Sequence, residues 1–301
     1  MSIDRTLSEA ARRVRGKPHQ LKLALASALA GGHLLIEDVP GVGKTTLSQT
    51  LARVLGLTYR RIQFTSDLVP ADILGGAVYS PETRSFSVVK GPIFAQVLLA
   101  DELNRASPKA QSALLEAMEE EQVSLEGEAY LLPQPFLVMA TQNPMDMAGT
   151  HALPESQLDR FLISMSMGYP DAEVERELLA GQASQVHYDD LQPILSAEVL
   201  QDLRRQAMEV HLSAPLLDYL QHLVRETREH PDVRLGLSPR AALGLTRVAQ
   251  AWALMARRDY VQPDDLQQVF VPVARHRLQT RQGNDGQRVA EQILADTPIG
   301  G

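Results

Sequence analysis

His33-Leu34-Leu35-Ile36-Glu37-Asp38-Val39-Pro40-Gly41-Val42-Gly43-Lys44-Thr45-Thr46 joins an apolar run to a glycine-containing loop that ends in Gly-Lys-Thr. The residues after it carry helical spacing, with Leu47, Leu51 and Val54 on one face and Gly56 as the stop. Strand, glycine loop, Lys-Thr and helix, in that order, describe a phosphate-binding loop. Its backbone N–H groups and the helix N-terminus converge on one point and attract an anion before any side chain acts. Pro40, Gly41, Val42, Gly43, Lys44, Thr45 and Thr46 are therefore the expected nucleotide-binding residues. Lys44 would add a positive charge at the β- and γ-phosphates, and the Thr45 hydroxyl would reach Mg²⁺. The full pattern opens with glycine, but Asp38 stands at that position.

Outside the loop, composition sets bounds. A chain of 301 residues exceeds the commonest single-domain length and suggests two domains. Hydrophobic residues make up 44%, enough for a sizeable core. A formal net charge of −8 argues against a broad electrostatic footprint for nucleic acid. With no cysteine, disulfides, thiol catalysis and cysteine-based zinc sites are excluded. Residues 1–22 hold arginines but no continuous apolar segment of the secretory kind. No apolar run is long enough for a membrane span. A cytoplasmic protein is the expectation.

Upstream of the loop, residues 3–30 read as helical with a break at Gly16-Lys17-Pro18. Downstream, Tyr59 to Phe64 reads as a second strand and 65–76 as a polar, glycine-ended connection. Residues 77–80 and 85–89 flank a turn and predict a hairpin, as do 122–125 and 129–132. Gln96 to Asp101, Phe136 to Thr141 and Phe161 to Met167 are further apolar strands. Ser107-Pro108 opens a helix as N-cap and first-turn proline. Apolar strands alternating with helices predict a parallel α/β sheet. After Gly168-Tyr169-Pro170 nearly everything reads as helical, at about 172–182, 197–209, 214–229, 239–257 and 263–277, with a weaker segment near 286–295. The expected division is 1–168 and 169–301.

Three groups of polar residues fall where a phosphate site needs them. Asp101 and Glu102 end an apolar strand, the place where α/β sheets bind ligands. Asp101 could hold Mg²⁺ through its water shell, and Glu102 could activate the attacking water. An acidic helix cap is the plainer alternative. Asn143 ends the next strand, where an amide can position that water, though Asn-Pro is also an ordinary turn dipeptide. Arg160 precedes a strand, and Arg240 falls in the first turn of a helix, where the dipole disfavours a cation without an anionic partner. Either a phosphate or a neighbouring carboxylate would supply that anion.

Read together, residues 37–45, 64–68, 70–75, 90–94, 99–106, 111–118, 140–144 and 153–161 resemble the MoxR branch of the AAA+ ATPases, and Leu-Ser-Pro-Arg at 237–240 extends the likeness. The resemblance implies a three-layer P-loop α/β base carrying two hairpin inserts, at about 76–90 and 121–132, followed by an all-α lid. It implies ATP with Mg²⁺ as ligands, the latter held by Thr45 and Asp101. It assigns Lys44, Asp101, Glu102 and Asn143 to the site, Arg160 as a finger reaching a neighbour's ATP, and Arg240 to the lid. Val14 to Gly16 lie where the family packs adenine, and Asp38 is a tolerated choice. Expected partners are further copies in a ring, six in number by family habit, a protein client, and a protein bearing a von Willebrand factor A domain. The alternative is a nucleic-acid-directed AAA+ motor. Scattered histidines, including His33, His151 and His276, predict no metal centre of their own. Met145, Met147, Met165 and Met167 read as packing residues, Trp252 as an anchor of the lid core, and Arg12, Arg13, Arg60 and Arg61 as solvated faces or subunit contacts.

Overall fold

The computed structural model describes residues 2–82, 84–143, 149–181, 187–281, 283 and 285–299. Helices α1 (Ser2–Ala11) and α2 (Pro18–Leu29) lead into β1 (His33–Glu37), the phosphate loop and α3 (Lys44–Val54). Then come β2 (Tyr59–Gln63), α4 (Pro70–Leu74), the hairpin β3 (Gly75–Ser80) and β4 (Ser85–Lys90), and β5 (Val97–Asp101). Helix α5 (Pro108–Glu120), the hairpin β6 (Gln122–Leu125) and β7 (Glu128–Leu131), β8 (Leu137–Gln142), α6 (Glu155–Leu158) and β9 (Phe161–Met165) follow. The remainder comprises α7 (Ala172–Leu179), α8 (Ala197–Glu209), α9 (Ala214–Glu229), β10 (Val233–Leu235), α10 (Pro239–Met255), α11 (Pro263–Ala274), β11 (Gln279–Thr280) and α12 (Gly286–Asp296).

Five strands form one parallel sheet in the order β2-β5-β8-β1-β9. Every residue of β5 and β9 is buried, as a parallel strand covered on both faces requires. Strand β2 lies at the edge, and only Ile62 of its five residues is buried. The sequence Tyr-Arg-Arg-Ile-Gln follows from that position, because an edge strand keeps its polar side chains in water. Strand β1 feeds the phosphate loop from inside the sheet, next to β8, so Asp101, Gln142 and the loop open onto the same end. As expected, Ser107 caps α5 by accepting from the Ala110 N–H at 3.4 Å.

The structure differs from expectation in two places. Helix α4 occupies part of the predicted connection. Five residues are too few to show a helical period, but Asp72 accepts the Val69 N–H at 2.9 Å and starts the turn. In the C-terminal part, β10 and β11 pair antiparallel through Val233 with Thr280 and Leu235 with Gln279, within a region expected to be all helical. Strands of three and two residues are below the length at which alternation can be read.

One continuous apolar core runs from α1 and α2 through α3 and one face of the sheet into α8, α9, α10, α11 and α12. Trp252 belongs to this seam as much as to the C-terminal helices. It is edge-on to His19 at 5.9 Å, and the Lys22 ammonium lies 4.5 Å from its ring centre. Both partners come from α2, so the expected lid-core anchor is in fact a clamp between α10 and α2. Met165 and Met167 are buried in the same core, as expected, while Met145 and Met147 lie outside the described residues.

His33 is a structural histidine. Its Nδ1 accepts the Val138 N–H at 3.0 Å and its Nε2 lies 3.3 Å from the Met118 carbonyl, which requires a neutral ring. Burial pushes its pKa down from 6.5 to about 4, with the charges of Arg204 and Arg240 adding to the fall. The unfolded chain then takes up this proton first as pH falls. The stability contribution is complete above pH 6.5 and is lost between 6.5 and about 4. The expected loss is on the order of 3 kcal/mol. Urea midpoints should fall over that window, and a folded His33→Gln variant should show a flatter profile. His276, also driven down by burial, acts in the same direction.

Candidate nucleotide site

The loop closes around two left-handed glycines, Gly41 at φ 87° and Gly43 at φ 94°. A Cβ at either position would meet no atom within 4 Å, so conformation rather than crowding requires glycine there. Asp38 has a function that glycine could not perform. Its Oδ2 accepts from the Ser166 hydroxyl at 2.7 Å and the Gly168 N–H at 2.6 Å, and its Oδ1 accepts the Val39 N–H at 2.8 Å. Burial opposes its ionisation, but the donors from Ser166, Gly168, Val39 and Met167 outweigh that and hold the carboxyl below its usual range. Asp38 thus ties the start of the loop to the segment leaving β9.

Lys44, Thr45, Asp101, Glu102 and Asn143 converge with Pro40, Gly41 and Gly43 on one polar cavity of about 380 Å³. The Lys44 ammonium donates to the Asp38 carbonyl at 2.6 Å. Burial pushes its pKa down, and the carboxylates of Asp101, Asp38 and Glu102 push it back up. Asp101 is held from both sides: Thr141 Oγ1 donates to Oδ1 at 2.6 Å, and Arg61 donates to Oδ2 at 2.6 and 3.1 Å. Thr141 Oγ1 also accepts the Glu102 N–H at 2.8 Å. Glu102 itself is left-handed, at φ 56° and ψ 46°, a conformation that costs a non-glycine residue about 1–2 kcal/mol. Its carboxylate pairs with Arg105 at 3.0 Å. The Asn143 carbonyl accepts from Asn104 at 3.5 Å, while residues 144–148 lie outside the described set.

Spacing alone did not reveal Arg61, Thr141 and Arg105 as part of this site. Arg61, expected on a solvated face or at a subunit contact, is exposed but also donates to the carboxylate proposed for the metal, because β2 is hydrogen-bonded to β5 with Gln63 beside Asp101. A polar residue buried near the end of an apolar strand was the one available signal for Thr141. Arg13, expected as a face or subunit contact, is engaged within the chain, donating to Gln49 at 3.1 Å and Thr50 at 3.4 Å.

A second cavity of about 240 Å³ adjoins the first across Gly41, Gly43 and Thr46. Its walls include Val14, Val42, Met167, Pro170, Val174 and Leu178. The turn that carries Val14 passes close to α7: a Cβ on Gly16 would lie 2.9 Å from Asp171 Oδ2. An apolar slot on one side of the loop and a polar cavity with a lysine on the other fit a base and a phosphate chain. The residues present also fit Mg²⁺. Thr45 and Asp101 face the same cavity, and Asp101 already holds a cationic group, that of Arg61.

Arg160 and Arg240 are not in this site. His33 begins β1 and reaches the Met118 carbonyl, which puts the C-terminal end of α5 at the edge where the strands start. There Arg160 and Arg240 both pair with Glu119, each at 2.8 Å. A five-residue strand, roughly 17 Å, separates that edge from the phosphate loop. Arg240 therefore lies away from the phosphate loop of its own chain. Its anionic partner is a carboxylate of the same chain.

Arg277 fixes the backbone around Arg160. Its guanidinium is bonded to Asp159 Oδ1 at 2.7 Å, the Phe161 carbonyl at 2.6 Å and the Leu162 carbonyl at 3.1 Å. Ser238, the N-cap of α10, donates to Asp159 Oδ2 at 3.3 Å.

No helix among the described residues is long and apolar enough to cross a membrane. Among those residues, no group of three or more His, Cys, Asp or Glu could hold a metal ion.

Residues 33–163 match the family described as ATPase family associated with various cellular activities (AAA), and residues 225–297 match the AAA lid domain. The chain is similar to chaperone MoxR1 of Mycobacterium tuberculosis, at 43% identity over 92% of this chain and 75% of that one. It is also 43% identical to the uncharacterised protein YeaC of Bacillus subtilis, over 94% and 90% of the two chains. With protein MoxR of Paracoccus denitrificans the identity is 32%, over 88% and 85%. A crystal structure of a Cytophaga hutchinsonii protein proposed to be an ATPase superposes with a TM-score of 0.91 at 37% identity, covering 100% of this chain and 95% of the other.

Proposed function

The chain belongs to the MoxR family of AAA+ ATPases, and from that premise we propose that it is a Mg²⁺-dependent ATPase that turns over only as an assembled ring and acts on a protein client. The observation that carries this reading is the division of the catalytic groups. One cavity gathers Lys44, Thr45, Asp101, Glu102 and Asn143, while Arg160 and Arg240 lie together at the opposite end of the sheet. Phosphoryl transfer needs positive charge at the transferred group, and a second copy can supply it.

In this reading the loop N–H groups and Lys44 bind the β- and γ-phosphates. Thr45 and Asp101 would hold Mg²⁺, which would supply charge neutralisation when bound. Asn143 orients a water, Glu102 accepts its proton, and the water oxygen attacks the γ-phosphorus in line with the departing ADP. Glu102 must exchange its Arg105 partner for that water, and a surface pair of this kind costs little to break. ATPase activity per subunit should therefore rise with protein concentration, following mass measured by light scattering. Constant activity in solutions shown to be monomeric would rule out the assembled site.

The hairpin β3–β4 is the proposed client contact. The rings of Tyr79 and Phe86 pack tilted with centres 5.3 Å apart, yet they are 50% and 72% exposed. Removing residues 80–86 is expected to spare basal ATPase and abolish client remodelling; remodelling at the parent rate would reject the role. The family resemblance proposes a von Willebrand factor A domain partner, to be tested by ATP-dependent co-elution with such a domain. A net charge of −8 disfavours the nucleic-acid motor, for which DNA or RNA should stimulate turnover several-fold.

A further inference from the structure

Glu119 occupies the last turn of α5, where the helix dipole disfavours a carboxylate. It is one of four acids at 116, 119, 120 and 121. What distinguishes it is its partners. Its Oε1 accepts from Arg240 at 2.8 Å, and its Oε2 accepts from Arg160 at 2.8 Å. One carboxylate thus bridges two guanidiniums from distant segments, the residue before β9 and the second residue of α10. The Leu115 carbonyl takes another Arg160 N–H.

Two guanidiniums share one carboxylate, on a face where the Arg240 side chain is 56% exposed. Guanidiniums arranged to grip two oxygens of one anion are also arranged to grip a phosphate. The backbone is fixed on both sides. Arg277 and Ser238 hold Asp159, and Ser238 caps the helix that carries Arg240. Exchange of the anion therefore needs only side-chain movement. The Arg240 pair is exposed on both sides and is held weakly enough to release, while Arg160 is half-buried and also donates to the Leu115 carbonyl.

We propose that Glu119 parks Arg160 and Arg240 in the separate chain and yields both to the γ-phosphate of a nucleotide held in the phosphate loop of a second copy. The surface is thus a self-masked docking face for another copy of this chain. The inference rests on the assembled-ATPase reading above and adds the internal anion that opposes assembly.

The test is Glu119→Gln, which keeps the shape and removes the charge, beside Glu116→Gln, which changes net charge equally but makes no ion pair with either arginine. With ATP present, Glu119→Gln should lower the protein concentration for half-maximal ATPase about three- to tenfold, with the same shift in the light-scattering midpoint. ADP affinity measured below the assembly concentration should stay at the parent value, because that site is in the same chain. Glu116→Gln should shift nothing. An unchanged or raised midpoint for Glu119→Gln, or an equal shift for Glu116→Gln, overturns the proposal. If the parent protein shows no concentration dependence at all, the assembled-ATPase reading itself fails, and that outcome is distinct from the other two.

Discussion

Glu102→Gln is expected to lower ATP turnover by a hundredfold or more while leaving ATP bound. General-base removal typically costs about 10²- to 10⁴-fold. The amide retains the shape and the left-handed backbone of Glu102, and the Thr141 hydroxyl still accepts the residue-102 N–H. Lys44, Thr45 and Asp101 are untouched, so phosphate binding should persist. The variant should retain labelled ATP through gel filtration, while the parent releases ADP. Retained turnover would mean that Glu102 is not the base, and a chain that never turned over would be a nucleotide-gated scaffold. Lys44→Ala should abolish retention of ATP as well, which shows that the retained nucleotide sits in the phosphate loop.

What could be read in advance followed the range of the forces involved. The phosphate loop was legible because its chemistry is local: glycine backbone, lysine, threonine and a helix start all fall within a few residues. Asp101 and Asn143 were legible because buried apolar strands end there. Arg61 on Asp101 was not, since that pair depends on β2 lying beside β5, and periodicity shows that strands exist without showing which ones adjoin. The same holds for Asp38, whose partners Ser166 and Gly168 are about 130 residues away, across β1 and β9. Arg240 shows the limit most clearly. The dipole argument correctly demanded an anion for it but could not choose between phosphate and carboxylate. The choice was made by the contact of α10 with the beginning of β9, where Gly244 approaches Leu162 so closely that a Cβ would lie 2.7 Å from it.

That geometry makes the loss of Arg160 informative. Arg160→Ala should reduce turnover about a thousandfold, within the range for removal of an arginine that stabilises phosphoryl transfer in trans. Its own loop, Asp101 and Glu102 remain, so ADP affinity below the assembly concentration should be unchanged. Lys44→Ala should be equally inactive for the opposite reason, lacking its own phosphate contact but keeping both arginines. Mixed one to one and allowed to exchange, the two dead proteins should recover activity. Each intact loop of an Arg160→Ala subunit then has a chance of facing the intact arginine of a Lys44→Ala neighbour. If Arg160 served the site of its own chain, no mixed pair would contain a complete site, and the mixture would be as inactive as its parts. Recovery would therefore locate the arginine in the neighbour without reference to any ring geometry. Adding Glu119→Gln to the Lys44→Ala partner should then raise the recovered activity at low protein concentration, because the donor's arginines are no longer parked.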